Sequence, residues 1–229
     1  MPAFNEQKSI GSVVLFAKKY VDEVIVVDDG STDRTSEIAT LAGAKVKRLP
    51  FNEGKGAALK VGFEGASRAD IIITLDGDGQ HDPEEIPKLM EPIIKGESDF
   101  VIGSRYINGN RRNTPLYRRA GQILFDWITN KICRLHIRDT QSGFRAFSKY
   151  AVPVFSFRQK GMVIESEMLM DASRAYLRIN EVEIAVKYVE DKLTLNLILK
   201  GLNILSGLIF LAFNPFKTGG LFHDNNWNY

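Results

Sequence analysis

Cysteine is nearly absent from this chain, because Cys133 is its single thiol. One cysteine excludes an internal disulfide and any cysteine-based metal cluster, and it favours a reducing compartment. The apolar neighbours Ile132 and Leu135 indicate that Cys133 has a packing role. The N-terminus also lacks the basic region and apolar stretch of a signal peptide. We therefore expect the main folded domain to lie in the cytoplasm.

A strong excess of one charge is missing too, since the formal net charge is +2. This charge gives no argument for a nucleic-acid partner, and we expect none. Basic residues do cluster at Arg111, Arg112, Arg118 and Arg119, where a solvated surface and an anionic ligand both stay open. With 44% hydrophobic and 25% charged residues among 229, the composition is globular and supports one sizeable core. No feature of the sequence predicts an oligomeric state.

No uninterrupted apolar run is long enough to cross a bilayer, which takes about 20 residues. Residues 193–213 are strongly apolar, but polar residues recur there at helical spacing, with Lys200 near the middle. The pattern predicts an amphipathic helix in the membrane interface, with Lys192 and Lys200 near lipid headgroups. Packing of this helix on the protein's own core or on a partner subunit is the alternative. We divide the chain into a main domain, residues 1–190, and this helix with a polar tail, residues 191–229.

The first hundred residues alternate short β-branched runs with helical patterns, which predicts an α/β fold with a mostly parallel sheet. The predicted strands span 24–27, 45–48, 71–75 and 100–102, and the predicted helices span 9–20, 33–42, 55–67 and 84–94. Further helices are predicted over 116–134 and 165–175, and a strand over 179–186. Asp82 as cap and Pro83 in the first turn mark the start of the fourth helix.

Acidic clusters follow two of these strands, Asp28-Asp29-Gly30-Ser31 and Asp76-Gly77-Asp78. Ligands of such sheets bind beyond the carboxyl ends of the strands. Two carboxylates two residues apart, at the end of a buried strand, can bind one divalent cation and direct it at a diphosphate. An ordinary turn has the same composition, so this motif by itself leaves both interpretations open.

Six motifs in order give the chain a resemblance to a known family. They are Pro2-Ala3-Phe4-Asn5-Glu6, Val26-Val27-Asp28-Asp29-Gly30-Ser31-Thr32-Asp33, Asn52-Glu53-Gly54-Lys55-Gly56, Leu75-Asp76-Gly77-Asp78-Gly79-Gln80-His81, Gly103-Ser104-Arg105-Tyr106 and Ser142-Gly143-Phe144-Arg145. Over residues 2–190 the chain resembles the inverting family-2 glycosyltransferases of the GT-A fold. The branch it resembles is that of dolichyl-phosphate mannose synthase and its polyprenyl-phosphate relatives.

The resemblance implies a nucleotide-sugar donor, GDP-mannose or UDP-glucose, and assigns residues to it. Nucleoside contacts fall to Pro2, Phe4, Glu6, Val27 and Asp29. Asp76, Asp78 and Gln80 are implied as the site of Mg²⁺ or Mn²⁺, with Gly77 beside them against the donor diphosphate. The cation stabilises the charge of the departing diphosphate. Lys55 follows Gly54 as part of a helix entry near the donor, because the sequence there lacks the spacing of a phosphate loop. For His81, a solvent-facing turn is the preferred interpretation.

The implied acceptor is dolichyl or another polyprenyl phosphate. Such a phosphate arrives already ionised, so it needs little help from a general base. Arg105, Arg119 and Arg145 are the predicted phosphate contacts, and Arg105 is also assigned to the donor. Asp139 is the predicted catalytic base or orienting group, with Glu165 as a second candidate.

The chain departs from the family pattern in two places. The first strand that normally precedes Pro2 is not in the sequence, so the start is misassigned or the sheet lacks that strand. The segment that should contact the pyrophosphate after residue 188 supplies only Lys192.

These observations predict an enzyme that transfers mannose or glucose to polyprenyl phosphate with inversion, at the cytoplasmic face of the membrane, as a peripheral or monotopic protein. One alternative is a family-2 transferase that uses a glycan or lipid-saccharide hydroxyl. The other is a non-catalytic nucleotide-binding homologue at the membrane.

Overall fold

The computed structural model describes residues 1–107, 116–159, 161–186 and 204–209, without the side chains of residues 116–118 and 120. In chain order the elements are β1 (Pro2–Ala3), α1 (Ile10–Ala17), β2 (Ile25–Asp28), α2 (Thr35–Leu41), β3 (Lys45–Arg48), α3 (Lys55–Gly65), β4 (Ile71–Thr74), α4 (Ile86–Ile94), β5 (Phe100–Ser104), α5 (Leu116–Cys133), β6 (Arg145–Ser148), α6 (Ile164–Arg174) and β7 (Ile179–Glu183). Single 3₁₀ turns occupy Pro83–Glu85 and Val152–Val154.

The strands form two hydrogen-bonded groups. In the first group, the order is β1-β2-β3 and both pairings are parallel. In the second group, the order is β4-β6-β5-β7, where β6 runs antiparallel to both neighbours and β5 pairs in parallel with β7. Most pairings of the described strands are therefore parallel, and the predicted α/β class with flanking helices is confirmed.

Local sequence explains most of these elements. In α1 the residues Ile10, Val13, Val14 and Ala17 recur at the spacing of one helix face, and all four are buried. Strand β5 is buried at every position, which matches a continuous apolar run between two covered sheet faces. Before α4, Asp82 accepts a hydrogen bond from the backbone N–H of Glu84 at 3.1 Å, as predicted for a capping residue.

Two apolar clusters form the core, one on each side of the strands. Aromatic rings dominate the first, in which Phe147 stacks on Phe100 with centroids 4.7 Å apart and meets Phe63 edge-on at 5.2 Å. Each such ring contributes about 1.5–3 kcal/mol by burial. This packing joins β5, β6 and α3.

Strand β1 has two residues and pairs only with β2 among the described strands. Its end reaches the second group of strands, because a Cβ on Gly77 would lie 3.3 Å from Ala3 Cβ and 3.0 Å from Ile10 Cδ1. The acidic segments that follow β2 and β4 therefore lie at the same edge of the fold.

The predicted C-terminal helix and the boundary at residue 190 fall largely outside the described residues and stay predictions. Residues 204–209 are helical. Leu208 is buried there, and Gly207 lies so close to Val163 that an added Cβ would overlap its side chain. This short stretch therefore packs on the protein's own core, at the start of α6. Over the described part of the chain, no helix has the length and apolar character needed to span a membrane.

Candidate active site

Asp76 lies where four segments of the chain meet. It follows β4, whose last residue Thr74 donates its hydroxyl to the carbonyl of Gly143 at 2.8 Å. This bond joins the end of β4 to the loop before β6. Two residues further on, Asp78 accepts a hydrogen bond from the backbone N–H of Gln80 at 2.9 Å, which fixes the turn. The turn so formed directs Asp76 towards the first residue of α3 and the first turn of α6.

Asp76, Lys55 and Glu165 form a partly buried ion triad. The Nζ atom of Lys55 lies 2.8 and 3.0 Å from the two carboxylate oxygens of Asp76 and 2.7 Å from Oε1 of Glu165. Lys55 and Glu165 are 15% and 3% exposed at their side chains. Burial alone would lower the pKa of Lys55, but the two carboxylates outweigh it and raise that pKa above its usual value. Lys55 is therefore held in its charged form.

Glycine at position 143 lets the backbone approach the triad closely. A Cβ at Gly143 would lie 2.6 Å from Asp76 Oδ2 and 2.7 Å from Lys55 Nζ. The Ser-Gly-Phe-Arg motif therefore contributes its backbone at Gly143 to the site.

The residues present fit a divalent cation that is shared with a substrate. Burial and the neighbouring charge of Asp76 raise the pKa of Asp78, as expected for two close carboxylates that a cation would relieve. Among the described residues, no group of three or more His, Cys, Asp or Glu side chains could hold a metal. Two carboxylates suit Mg²⁺, which binds to one or two carboxylates, several waters and the phosphates of its substrate.

A second ion pair lies next to the end of β5. Nε and Nη2 of Arg105 each donate a hydrogen bond to one carboxylate oxygen of Asp139, both at 2.6 Å. Its backbone N–H also donates to Asp139, at 3.0 Å. Asp139 is completely buried, and the Arg105 side chain is 18% exposed. The predicted base is therefore neutralised by the predicted phosphate contact, in the two-bond geometry that is strongest for this pair.

Two polar residues of α5 extend this pair. Gln122 donates to Asp126 at 3.1 Å and to Asp139 at 3.3 Å. Asp126 also accepts the backbone N–H and the hydroxyl of Thr140, at 2.9 and 2.7 Å. Burial raises the pKa of Asp126 to about 6. Helix α5 is thus fastened to the loop that carries Asp139.

Arg145 is directed into the protein, which argues against its predicted contact with the acceptor phosphate. The side chain is 1% exposed. Its guanidinium donates to the carbonyls of Ser142, Glu165 and Thr140 at 2.7, 3.0 and 2.8 Å. Burial lowers the pKa of Arg145 to about 10. In this arrangement Arg145 ties the 140–142 loop to the start of α6, and its burial keeps the guanidinium away from an external phosphate.

His81 is not the solvent-facing residue that we expected from its turn motif. The residue is 7% exposed and lies 5.5 Å from the ring of Phe144. Burial lowers its pKa to about 4, so the imidazole is neutral. The prediction was wrong because the turn is covered by the segment after β7, where His81 forms a bridge with Val186.

The loop after β1 is tied to the loop after β2. Asn5 accepts the backbone N–H of Thr32 at 2.9 Å, and the Glu6 backbone N–H donates to the hydroxyl of Thr35 at 2.8 Å. Asp29 accepts the backbone N–H groups of residues 53 and 54, at 2.7 and 2.8 Å. Burial raises the pKa of Glu6, and the charges of Asp78 and Asp76 contribute in the same direction. The candidate nucleoside loop and the candidate metal site therefore adjoin.

Residues 1–154 match the family described as glycosyl transferase family 2. The chain belongs to this family. It is 35% identical to UDP-N-acetylglucosamine–dolichyl-phosphate N-acetylglucosaminyltransferase of Methanococcus voltae, over 96% of this chain and 95% of that protein. It is 30% identical to undecaprenyl-phosphate mannosyltransferase of Micrococcus luteus, over 84% of this chain and 83% of that protein. With dolichol-phosphate mannosyltransferase of Pyrococcus furiosus it shares 36% identity, over 74% of this chain and 51% of that protein.

Solved structures agree with this assignment. Glucosyl-3-phosphoglycerate synthase of Mycobacterium tuberculosis, in complex with phosphoglyceric acid, matches 93% of this chain and 78% of its own, with a TM-score of 0.76 and 25% identity. The same enzyme in complex with Mn²⁺ and UDP-glucose gives a TM-score of 0.72 and 28% identity, over 93% of this chain and 77% of its own. The predicted family and fold are thereby confirmed.

The remaining predicted site residues of this family-2 chain are distributed as follows. Pro2 and Val27 lie opposite each other in the β1–β2 pairing. Phe4 is 43% exposed on the loop after β1, and Gly77 is buried between Asp76 and Asp78. Arg119 is partly exposed on α5. Lys192 lies outside the described residues. The roles assigned to these residues stay predictions.

Sequence reasoning missed three contributors to the site: the ion pairs of Lys55, the close approach at Gly143, and Asp126. Lys55 has a visible signal, because it opens α3 directly after Gly54, which adopts φ 97° as the capping residue. The predicted helix entry is therefore confirmed, but its partners could not be read locally. Asp126 gave no signal, since a single acid on an amphipathic helix has the pattern of a solvated residue.

Proposed function

We propose that this chain transfers a sugar from a nucleotide-sugar donor to dolichyl or another polyprenyl phosphate, with inversion at the sugar. Membership of family 2 supports glycosyl transfer. The names of three relatives that align over most of this chain specify a dolichyl, dolichol or undecaprenyl phosphate acceptor. Among those relatives the sugar is mannose or N-acetylglucosamine. Mannose and glucose were our predicted sugars, and N-acetylglucosamine joins them.

The donor half of the reaction falls to the residues after β4. Asp76 and Asp78 would hold Mg²⁺ or Mn²⁺ together with the diphosphate, and Gln80 adjoins them. A bound cation there stabilises the negative charge of the departing nucleoside diphosphate. Glu6 and Asp29, on the loops beside this turn, remain the proposed contacts of the nucleoside.

The acceptor half rests on one observation, which carries the proposal: both carboxylates predicted as the catalytic base are held in ion pairs. Glu165 is paired with Lys55, and Asp139 is paired with Arg105. The imidazole of His81 is neutral, but with a pKa of about 4 it is a weak base. A hydroxyl acceptor must lose a proton in the transition state, whereas a phosphate monoester is already anionic. This set of residues therefore suits a phosphate acceptor, and Arg105 and Arg119 are its proposed contacts.

The outer face of α5 is our proposed contact with the bilayer. Ile123, Leu124 and Trp127 are 51%, 46% and 64% exposed and recur within one turn of the helix. A different face of the same helix carries Gln122 and Asp126 against the Asp139 loop. Lys131, one turn beyond Trp127, is exposed on the apolar side. Apolar residues with a flanking cation suit the interface of an anionic membrane, which brings the lipid phosphate to the inner side of α5. We propose peripheral attachment at the cytoplasmic face.

A donor-by-acceptor matrix tests the reaction. Radiolabelled GDP-mannose, UDP-glucose and UDP-N-acetylglucosamine are each incubated with Mg²⁺ and with polyprenyl phosphate, 3-phosphoglycerate or a glycan acceptor. Labelled polyprenyl-linked sugar is the expected product, and Asp78→Ala should abolish it while the far-UV spectrum and melting temperature stay near those of the unchanged chain. Label only in the soluble phosphate or the glycan would refute the lipid acceptor. Nucleotide binding without turnover would favour a non-catalytic homologue.

Vesicle binding tests the α5 surface separately. In a Trp227→Phe background, Trp127 is the single tryptophan, so its emission should shift to the blue with anionic vesicles. Trp127→Ser should lower co-flotation with those vesicles. Leu41→Ser is the matched control, because Leu41 is 77% exposed on α2. Equal loss in both variants, or no shift of emission, would contradict the proposed contact.

A further inference from the structure

Lys55 contacts the carboxylate of Asp76, one of the two proposed metal ligands. Its Nζ atom lies within 3.0 Å of both carboxylate oxygens, at 2.8 and 3.0 Å. A Mg²⁺ ion on the same oxygens would sit at about 2.0–2.1 Å from them. A lysine ammonium and a dication that share one carboxylate at these distances repel each other strongly in a partly buried site. Lys55 and the metal therefore compete for Asp76.

Glu165 gives Lys55 a second partner. Its carboxylate is 3% exposed, and Nζ of Lys55 lies 2.7 Å from Oε1. The contact has ion-pair distance but not the geometry of an aligned hydrogen bond, so both carboxylate oxygens lack a directed donor among the described residues. A buried carboxylate without compensation is costly. Glu165 therefore retains Lys55 in the site, whether or not Asp76 also binds it.

We infer that Lys55 is a built-in counter-cation that lowers the affinity of Asp76 for the divalent metal until the donor diphosphate arrives. Glu165 keeps the ammonium in the site after the metal displaces it from Asp76, where the incoming diphosphate offers anionic oxygens. Metal alone then binds weakly, and metal with donor binds well. This inference rests on the proposed metal site at Asp76 and Asp78 and adds the residues that regulate its loading.

Binding of Mn²⁺ alone, followed by the electron paramagnetic resonance signal of free Mn²⁺, tests the competition without any nucleotide or turnover. Lys55→Gln should tighten Mn²⁺ binding by about tenfold or more, because the competing charge is gone. Lys55→Arg, which retains the charge, should stay near the unchanged chain. Lys60→Gln is the matched control, since Lys60 is exposed on the same helix, and it should have no effect.

Glu165→Gln should change the Mn²⁺ affinity in the opposite direction from Lys55→Gln. Within the triad, Lys55 would then have Asp76 as its only carboxylate partner and would pair with it more strongly. Mn²⁺ should therefore bind several-fold more weakly. A merely structural role would shift both variants in the same direction. Circular dichroism melts with and without Mn²⁺ identify folded samples, and Mn²⁺ should raise the melting temperature of Lys55→Gln more than that of the unchanged chain.

Asp78→Ala distinguishes a wrong role for Lys55 from a wrong metal site. If it abolishes Mn²⁺ binding while Lys55→Gln leaves the affinity unchanged or weaker, the lysine inference is wrong and the metal site stands. Glu165→Gln with unchanged or tighter binding overturns the inference as well. If Asp78→Ala leaves Mn²⁺ binding intact, the proposed metal site fails, and the inference falls with it.

Discussion

Substitution of Gly143 by alanine probes the close approach of the 139–145 loop to the candidate metal site. Ordinary contacts of a Cβ begin at 3.4 Å, whereas a Cβ here would lie 2.6 Å from Asp76 Oδ2 and 2.7 Å from Lys55 Nζ. Both atoms are the ends of side chains, so they can move away by the better part of an ångström without moving the backbone. The alanine therefore displaces functional groups more than it disrupts the fold.

The two expected magnitudes differ sharply. The mild overpacking should lower the free energy of unfolding by about 1 kcal/mol. A misplacement of about 1 Å at a reacting centre can cost about 10²-fold in rate. We therefore expect kcat for sugar transfer to fall about a hundredfold, with urea unfolding almost unchanged. Gly121→Ala is the matched control, because a Cβ there meets nothing within 4 Å and an alanine inside α5 should stabilise the helix by about 0.5–1 kcal/mol.

Steady-state transfer assays and urea denaturation of both glycine variants decide the point. A folded Gly143→Ala protein with the kcat of the unchanged chain would refute this expectation. It would mean that sugar transfer does not depend on the positions of the Asp76 and Lys55 side chains. A large loss of stability without a specific loss of kcat would also contradict it, since the backbone rather than the two side chains would then have moved to accommodate the added methyl group.

Three further outcomes follow from buried groups. Arg145→Met should lower the free energy of unfolding by about 3–5 kcal/mol, since three carbonyls lose a charged donor; Arg145→Lys with full stability and a raised KM for the acceptor would instead indicate phosphate contact. Asp126 has its pKa raised to about 6 by burial, so the folded protein retains that proton better than the unfolded chain does; its contribution to stability should fall as pH rises from about 4 to 6, and Asp126→Asn should make the pH dependence of the melting temperature shallower across that range. Burial raises the pKa of the Cys133 thiol to about 12; a thiol reagent should therefore label the native protein very slowly and the urea-unfolded protein at once, and fast native labelling would contradict the packing.

The alternation of strands and helices in the first hundred residues was predictable because each element carries its own periodicity, and one helix also carries a clear start signal. The helix after Asp82 is an example, with its cap and proline in place. Strand β6, Arg145–Ser148, was not predicted. All four of its residues are buried, so they show no alternation of apolar and polar positions. Its strand character comes from its pairing with β4 and β5 on either side.

At the functional site, the burial of His81 and Arg145 was likewise not predictable from the local sequence. Both residue types are common at surfaces, and their sequence context is a polar turn or a motif with a charge. The bridge of His81 with Val186 and the three carbonyls around Arg145 bury them instead. Such coverings come from segments distant in the chain, so a local pattern cannot contain them.

The sequence by itself determined the chemistry on offer: carboxylates at the ends of β2 and β4, phosphate-binding residue types, and six motifs in the order of family 2. Only the tertiary structure decided which of these groups are paired. Lys55 meets Asp76 across 21 residues of chain, and Arg105 meets Asp139 across 34. The reason is physical. Residue type sets what a group can bind, whereas burial and long-range neighbours set its charge and its available lone pairs. The aspartate of the Asp76-Gly77-Asp78 motif is thus fixed by sequence, and its lysine partner by the fold.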